Sequence, residues 1–271
     1  MTDRYYTIVC SNKDVASRHM AKVLIKEHRF TSFNNQCYYS DDFPSSVMYF
    51  ANDNLLEMDN LDDIHHDTKC FIFLSQHRST SKIPTLTCHF TGNFNENMYG
   101  GRPKELGICY PWLQKQYLIE INKRRNEVPE YDIIIEATHH GPTSLKKPSI
   151  FIEIGSTQKE WSDPIVSNIV TETLLKVIST KPGKSEKAGI AFGGTHYPIK
   201  FNRMILESEF GLGAVASKYD LINVEENMFS QMIYKSIEKI QYGIVDMKGL
   251  GKERQRILSL IEEHGLRIVK V

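Results

Sequence analysis

Short apolar runs alternate along this chain with longer segments of helical period, and that alternation predicts an α/β fold. Buried strands are predicted at residues 5–10, 47–50, 70–74, 132–137, 149–154, 188–192, 243–246 and 266–271. Residues 85–91 alternate threonine with Leu86, Cys88 and Phe90, the pattern of a half-exposed strand. Helices are predicted at 14–27, with Val15, Met20, Val23 and Leu24 on the apolar side, and at 110–126, 201–209, 224–240 and 252–264. A further helix begins with Pro164 in its first turn, capped by Ser162 or Asp163, and runs to about residue 178. Residues 179–187 are polar, carry Pro182 and Gly183, and predict a loop. No repeat, low-complexity tract or linker interrupts the series. A single domain over 1–271 is expected: three α/β/α layers around a mixed, mostly parallel sheet.

Composition changes this picture little. With 41% apolar and 24% charged residues the chain is globular. No apolar run reaches the roughly eighteen residues that span a bilayer, so no membrane partner is expected. The opening MTDRYYTIVCSNKD lacks the apolar core of a signal peptide. Cys10, Cys37, Cys70, Cys88 and Cys109 are scattered singly, which argues against a disulfide framework and for a reducing, cytoplasmic setting. Net charge is zero but unevenly spread. Residues 41–67 carry aspartate and glutamate without lysine or arginine. Basic residues follow in two groups, from Arg102 and Lys104 through Arg125 and from Lys176 to Lys187. Such groups could face a polyanion or simply be solvated helix surfaces.

The candidate chemistry lies in two segments that follow predicted strands. One is Glu136-Ala-Thr-His-His-Gly-Pro-Thr143, the other Gly193-Gly-Thr-His-Tyr-Pro198. Glu136 ends one apolar strand and Glu153 lies inside another. A buried carboxylate is costly unless it is paired or bound to a cation. His77 and His89 also end or lie in strands. Each histidine alone reads more readily as a hydrogen-bonded structural residue than as a ligand. Their convergence after separate strands predicts one shared site, and imidazole with carboxylate suits zinc. There is no H-E-x-x-H helix, phosphate-binding glycine loop, dinucleotide fingerprint or G-x-S-x-G elbow.

These segments carry a resemblance. Pro84-Thr-Leu-Thr87 with His89, Thr91-Gly-Asn-Phe94, Tyr110-Pro-Trp112, the Glu136–Thr143 block, Glu153-Ile-Gly-Ser156 with Trp161, Phe192-Gly-Gly-Thr-His-Tyr197 and Lys248-Gly-Leu250 together resemble the D-aminoacyl-tRNA deacylases of the archaeal and plant type. The resemblance covers essentially the whole chain. It implies a phosphorylase/hydrolase-like fold related to peptidyl-tRNA hydrolase, and zinc-dependent hydrolysis of the ester joining a D-amino acid to tRNA. One departure is Thr195, where many relatives carry a third glycine.

On this reading His139, His140, Glu153 and His196 form the pool of metal ligands, and Glu136 is general base or ligand orienter. The N–H groups of Gly193 and Gly194 are expected at the substrate carbonyl oxygen. Thr138, His77, His89, Thr195, Arg102 and Lys104 are expected to contact substrate, with tRNA phosphates on the basic groups. Consecutive side chains of a strand point to opposite sides, so His139 and His140 can share a metal only if the strand has already ended. A monomer is expected. The alternatives are a metal-dependent amidohydrolase or peptidase acting on small molecules, and a tRNA- or peptide-binding module whose histidines only stabilise loops.

Overall fold

The computed structural model describes residues 5–271. In chain order the strands are β1 (Tyr6–Ser11), β2 (Thr31–Ser32), β3 (Cys37–Tyr39), β4 (Ser46–Ala51), β5 (Cys70–Arg78), β6 (Thr85–His89), β7 (Gly92–Asn93), β8 (Glu105–Leu106), β9 (Asp132–Ile135), β10 (Ser149–Ser156), β11 (Lys187–Phe192), β12 (Phe210–Ala216), β13 (Tyr242–Val245) and β14 (Arg267–Lys270). The helices are α1 (Val15–Glu27), α2 (Leu61–Ile64), α3 (Pro111–Lys123), α4 (Gln158–Trp161), α5 (Pro164–Ile178), α6 (Ile199–Glu207), α7 (Glu226–Tyr234) and α8 (Arg254–Glu263).

A mixed sheet runs in the order β2-β3-β4-β1-β5-β10-β6-β9, with helices on both sides, as a three-layer α/β/α arrangement. β1, β4, β5 and β10 are parallel neighbours, whereas β6 and its parallel partner β9 run against β10. One face, carrying Ile8, Ile72, Leu74, Leu86, Cys88, Ile150, Ile152 and Ile154, packs on the layer of α1, α3 and α5. The opposite face holds a smaller apolar cluster of Val9, Tyr49, Phe71, Phe73 and Phe151 under Leu55, Met58, Leu61 and Leu145.

Local rules account for the boundaries. Asp14 caps α1, accepting from Ser17 N at 2.8 Å, and Asp163 caps α5 ahead of Pro164. Two expectations are corrected. β11 does not join the main sheet; it lies in a second, all-parallel sheet, β12-β11-β13-β14. The strand β12 was unforeseen because its sequence, FGLGAVA, holds two glycines that blur the apolar pattern. A Cβ at Gly211 would collide with the Ser185 side chain, so glycine is what the close approach requires. Second, the predicted helix 224–240 stops at Tyr234. There the chain turns to pair with Cys109, whose carbonyl accepts from Ile237 N at 3.1 Å, and Glu238 then receives Trp112 N and Ser185 N.

Candidate functional site

The period of two along three strands builds the floor of the site. In register across β5, β10 and β6, Phe73–Phe151–His89, Ser75–Glu153–Thr87 and His77–Gly155–Thr85 form rows on one face. Glu153 therefore stands on the open face while its neighbours Ile152 and Ile154 turn into the helix-covered core. Gly155 is required by His77, because a Cβ would stand 2.8 Å from the imidazole Cβ and Cδ2.

Over this floor lies a cavity of about 450 Å³. Segments following β1 (Ser11, Lys13, Asp14) and β4 (Asn54, Leu55, Leu56) supply one wall together with the end of β5 (Gln76, His77, Arg78), as in open α/β sheets generally. His139, His140 and His196 close the other side. The row of strand ends expected from sequence is thus only half present, since β9 runs the opposite way and delivers its histidines across the face. β9 ends at Ile135, four residues before His139, so the condition for both histidines to share a ligand holds. His140 adopts φ +45° and the two rings lie 4.4 Å apart. The turn is fastened by the acidic segment: Asp59 accepts from Thr143 N and Ser144 N, and Asp62 from Lys146 N.

Hydrogen bonding fixes the imidazole tautomers. Nδ1 of His89 meets Phe90 O at 3.1 Å, that of His139 meets Ala137 O at 2.9 Å, and that of His140 meets Gly141 O at 2.7 Å. A carbonyl only accepts, so each Nδ1 carries the proton and each Nε2 presents its lone pair in the neutral form. These three groups lie within 4.8 Å of one another, and the buried Nε2 of His89 has no hydrogen-bond partner. Three neutral imidazoles with a backbone carbonyl at each Nδ1 could hold a metal ion through Nε2. Two other groups have suitable spacing, Glu136–His139–His196 and His77–Glu136–Glu153. In both, an imidazole nitrogen is already committed to a carboxylate: His196 Nε2 to Glu136 Oε2 at 2.7 Å, and His77 Nδ1 to Glu153 Oε2 at 3.2 Å.

The buried charges balance one another. His77 Nδ1 stands 3.2 Å from a carboxylate oxygen of both Glu136 and Glu153, and its Nε2 meets Tyr197 Oη at 2.6 Å. Burial works against its charge, but Glu153 and Glu136 outweigh it and raise its pKa. Burial also opposes ionisation of the carboxylates. His196, His77 and His139 overcome it for Glu136, and His77 and His89 for Glu153, so both sit well below the usual carboxylate range. Burial, reinforced by the neighbouring histidines, holds His139 well below the ordinary imidazole value and takes His140 down to about 4. For His89 burial acts in the same direction, yet Glu153, 3.8 Å from Nε2, raises it overall. Glu136 Oε1 is a buried acceptor without a hydrogen bond, because the single Nδ1–H of His77 is aligned on Glu153.

Of the residues singled out from sequence, Glu136, His139, His140, Glu153, His196, His77 and His89 come together. His89 is fully buried, does not line the cavity and stands beside His139 and His140; its half-exposed strand pattern gave no sign that both faces would be covered. Others do not reach the cavity. Gly193 N–H is spent on Ala216 O at 2.9 Å, and Gly194 and Thr195 border a separate cavity with Pro198 and Lys200. The Thr195 hydroxyl donates to Tyr197 O, and the Thr138 hydroxyl accepts from Val215 N, joining the site to β12. Arg102 and Lys104 are exposed on the loop beyond Tyr99 and do not line the cavity. Lys123, Arg124 and Lys176 are paired with Glu120, Glu127 and Glu172 on the α3–α5 layer, across the sheet from the cavity. Sequence reasoning missed Lys13, Asp14, Arg78 and Tyr99, all of which line it.

Residues 64–269 match the family model for D-aminoacyl-tRNA deacylase. The chain belongs to that family. It is 41% identical over 199 residues to the D-aminoacyl-tRNA deacylase of Cenarchaeum symbiosum, covering 73% of this chain and 76% of that one. Identity to the Staphylothermus marinus deacylase is 36%, covering 94% of both chains, and to the Pyrococcus furiosus deacylase 32%, covering 97% and 98%. A crystal structure of a conserved protein of unknown function superposes with a TM-score of 0.91 at 26% identity, covering 100% of this chain and 96% of that one. Among the described residues of this family member no helix is long and apolar enough to cross a membrane.

Proposed function

We propose that this chain hydrolyses the ester bond between a D-amino acid and tRNA, with a zinc ion held by His89, His139 and His140. The observation that carries the metal part is the grouping of His89, His139 and His140, whose candidate ligand nitrogens lie within 4.8 Å of one another while a backbone carbonyl holds each ring at Nδ1. Family membership supports the substrate. When bound there, zinc supplies an electrophile for the ester carbonyl and acidifies water towards a pKa of about 7.

The chain's own residues handle the proton. Glu136 Oε2 accepts from His196 Nε2–H, which leaves Nδ1 as the basic nitrogen of a ring that lines the cavity. His196 Nδ1 takes a proton from the attacking water as the new C–O bond forms. The bond from the carbonyl carbon to the ribose oxygen then breaks, and the same proton passes to that oxygen. Glu136 acts through His196 and is a positioning residue. His77 neutralises Glu136 and Glu153 and so keeps both carboxylates tolerable beneath the cavity. Four buried free cysteines, Cys10, Cys70, Cys88 and Cys109, fit a reducing cytoplasm.

The test is release of tyrosine from D-tyrosyl-tRNA and L-tyrosyl-tRNA by the purified protein. Loss of the D ester alone supports the reading. Equal loss of both esters, or of neither, contradicts it and returns the small-molecule amidohydrolase to first place.

A further inference from the structure

We infer that the outer rim of the cavity is a reading site for the 3′ end of the tRNA, in which Tyr99 stacks on the terminal adenine while Lys13 and Arg78 hold the flanking phosphates. The inference rests on the deacylase reading and adds to it the residues that recognise the nucleotide. Tyr99 lines the cavity yet is 64% exposed, beside Met98 at 76%. Its ring has no aromatic partner among the described residues. The backbone holds it in place: Tyr99 O accepts from Gly141 N at 3.0 Å, one residue beyond His140. The next residues, Gly100 and Gly101, take φ +73° and +72°. A Cβ on Gly141 would collide with this glycine pair and with Leu56 O, so the Tyr99 loop and the histidine turn are packed without slack. A large exposed aromatic anchored next to the reacting groups is the geometry of a base-stacking platform.

The cations fit the same ligand. Lys13 and Arg78 line the cavity from the segments ending β1 and β5, and neither forms an ion pair among the described residues. Arg78 is spread over the Trp161 ring at 4.9 Å, which leaves the fork's edges for a phosphate. The lysines and arginines of the α3–α5 layer are by contrast already paired. Every aminoacylated tRNA ends in the same unpaired CCA, so a stacked adenine and two phosphate contacts would seat the ester over the histidines whatever amino acid it carries.

The experiment measures binding of the 5′-phosphorylated RNA trinucleotide CCA to the zinc-loaded protein, alongside hydrolysis of D-tyrosyl-tRNA. Tyr99→Ala should weaken CCA binding and raise KM about tenfold, with kcat little changed, and Tyr99→Phe should restore both. Lys13→Gln with Arg78→Gln should weaken binding and lower the slope of log affinity against log salt by about one per cation removed. Undiminished CCA affinity in Tyr99→Ala, or a loss in kcat alone, overturns the inference. Failure of the wild type to bind CCA overturns it too. CCA binding that depends on Tyr99, without any D-ester hydrolysis, would sink the deacylase reading and leave the rim site standing.

Discussion

His89 and His139 meet with ring centroids 4.0 Å apart, one from the end of β6 and the other from the turn after the edge strand β9. With His140 at 4.7 Å from His89, the three rings bring candidate ligand nitrogens within 4.8 Å of one another. On the proposed assignment these three rings hold the metal and the neighbouring Glu136–His196 pair handles the proton, so the two parts should fail differently when altered.

His89→Ala and His140→Ala should lose bound zinc and at least a hundredfold in rate together. His196→Ala should keep its zinc and lose about 10²–10⁴ in kcat, the usual contribution of a positioned proton acceptor. Metal content by elemental analysis beside single-turnover rates decides the matter. Loss of zinc in His196→Ala with retention in His89→Ala would reverse the assignment.

Glu136→Gln keeps the shape of the side chain and removes the charge that orients His196. The variant should fold, hold zinc and lose most of its kcat with little change in KM. A change confined to KM would place Glu136 in substrate binding instead.

Gly155→Ala tests the floor. Its new methyl would press on His77 at 2.8 Å and on Thr85 Oγ1 at 2.8 Å. A stability loss of about 1–3 kcal/mol is expected for overpacking at a site that cannot yield, with rate falling further than stability explains. Urea unfolding and kcat read the two effects separately, and an unaltered rate would show that the His77 position is not critical.

His140 and His65 are two of the buried histidines that add to the acid sensitivity of the metal-free protein. Burial takes His140 down to about 4, and burial with Lys147 nearby takes His65 to about 4. Below the ordinary imidazole pKa of about 6.5 the unfolded chain binds protons that the folded chain refuses. Stability should therefore be unaffected by these groups above that value and fall as pH drops from about 6.5 to about 4. His65→Gln should flatten part of the slope in urea titrations at pH 7, 5.5 and 4.5. A slope unchanged in His65→Gln would contradict the burial of that ring.

The alternation of apolar strands and amphipathic helices made the α/β class legible, the start of α1 was read one residue early at its cap Asp14, and the cap of α5 was narrowed to Ser162 or Asp163. Local pattern could not show that β11 leaves the main sheet, because sheet membership depends on contacts between distant segments. Candidate ligands were visible as histidines beside strands. Their surroundings were not: nothing local showed that His89 would be fully buried beside His139 and His140, and the Gly193 N–H looked available until its bond to Ala216 O was seen. Asp59 and Asp62 read as part of an acidic stretch, whereas they serve as backbone acceptors that hold the histidine turn.

The most direct test of the three-histidine seat is hydrolysis of D-tyrosyl-tRNA by protein stripped with a chelator and then titrated with zinc. The account predicts near-complete loss on stripping and recovery in step with zinc bound, with no recovery in His89→Ala. Full activity in protein shown by elemental analysis to be metal-free would contradict it.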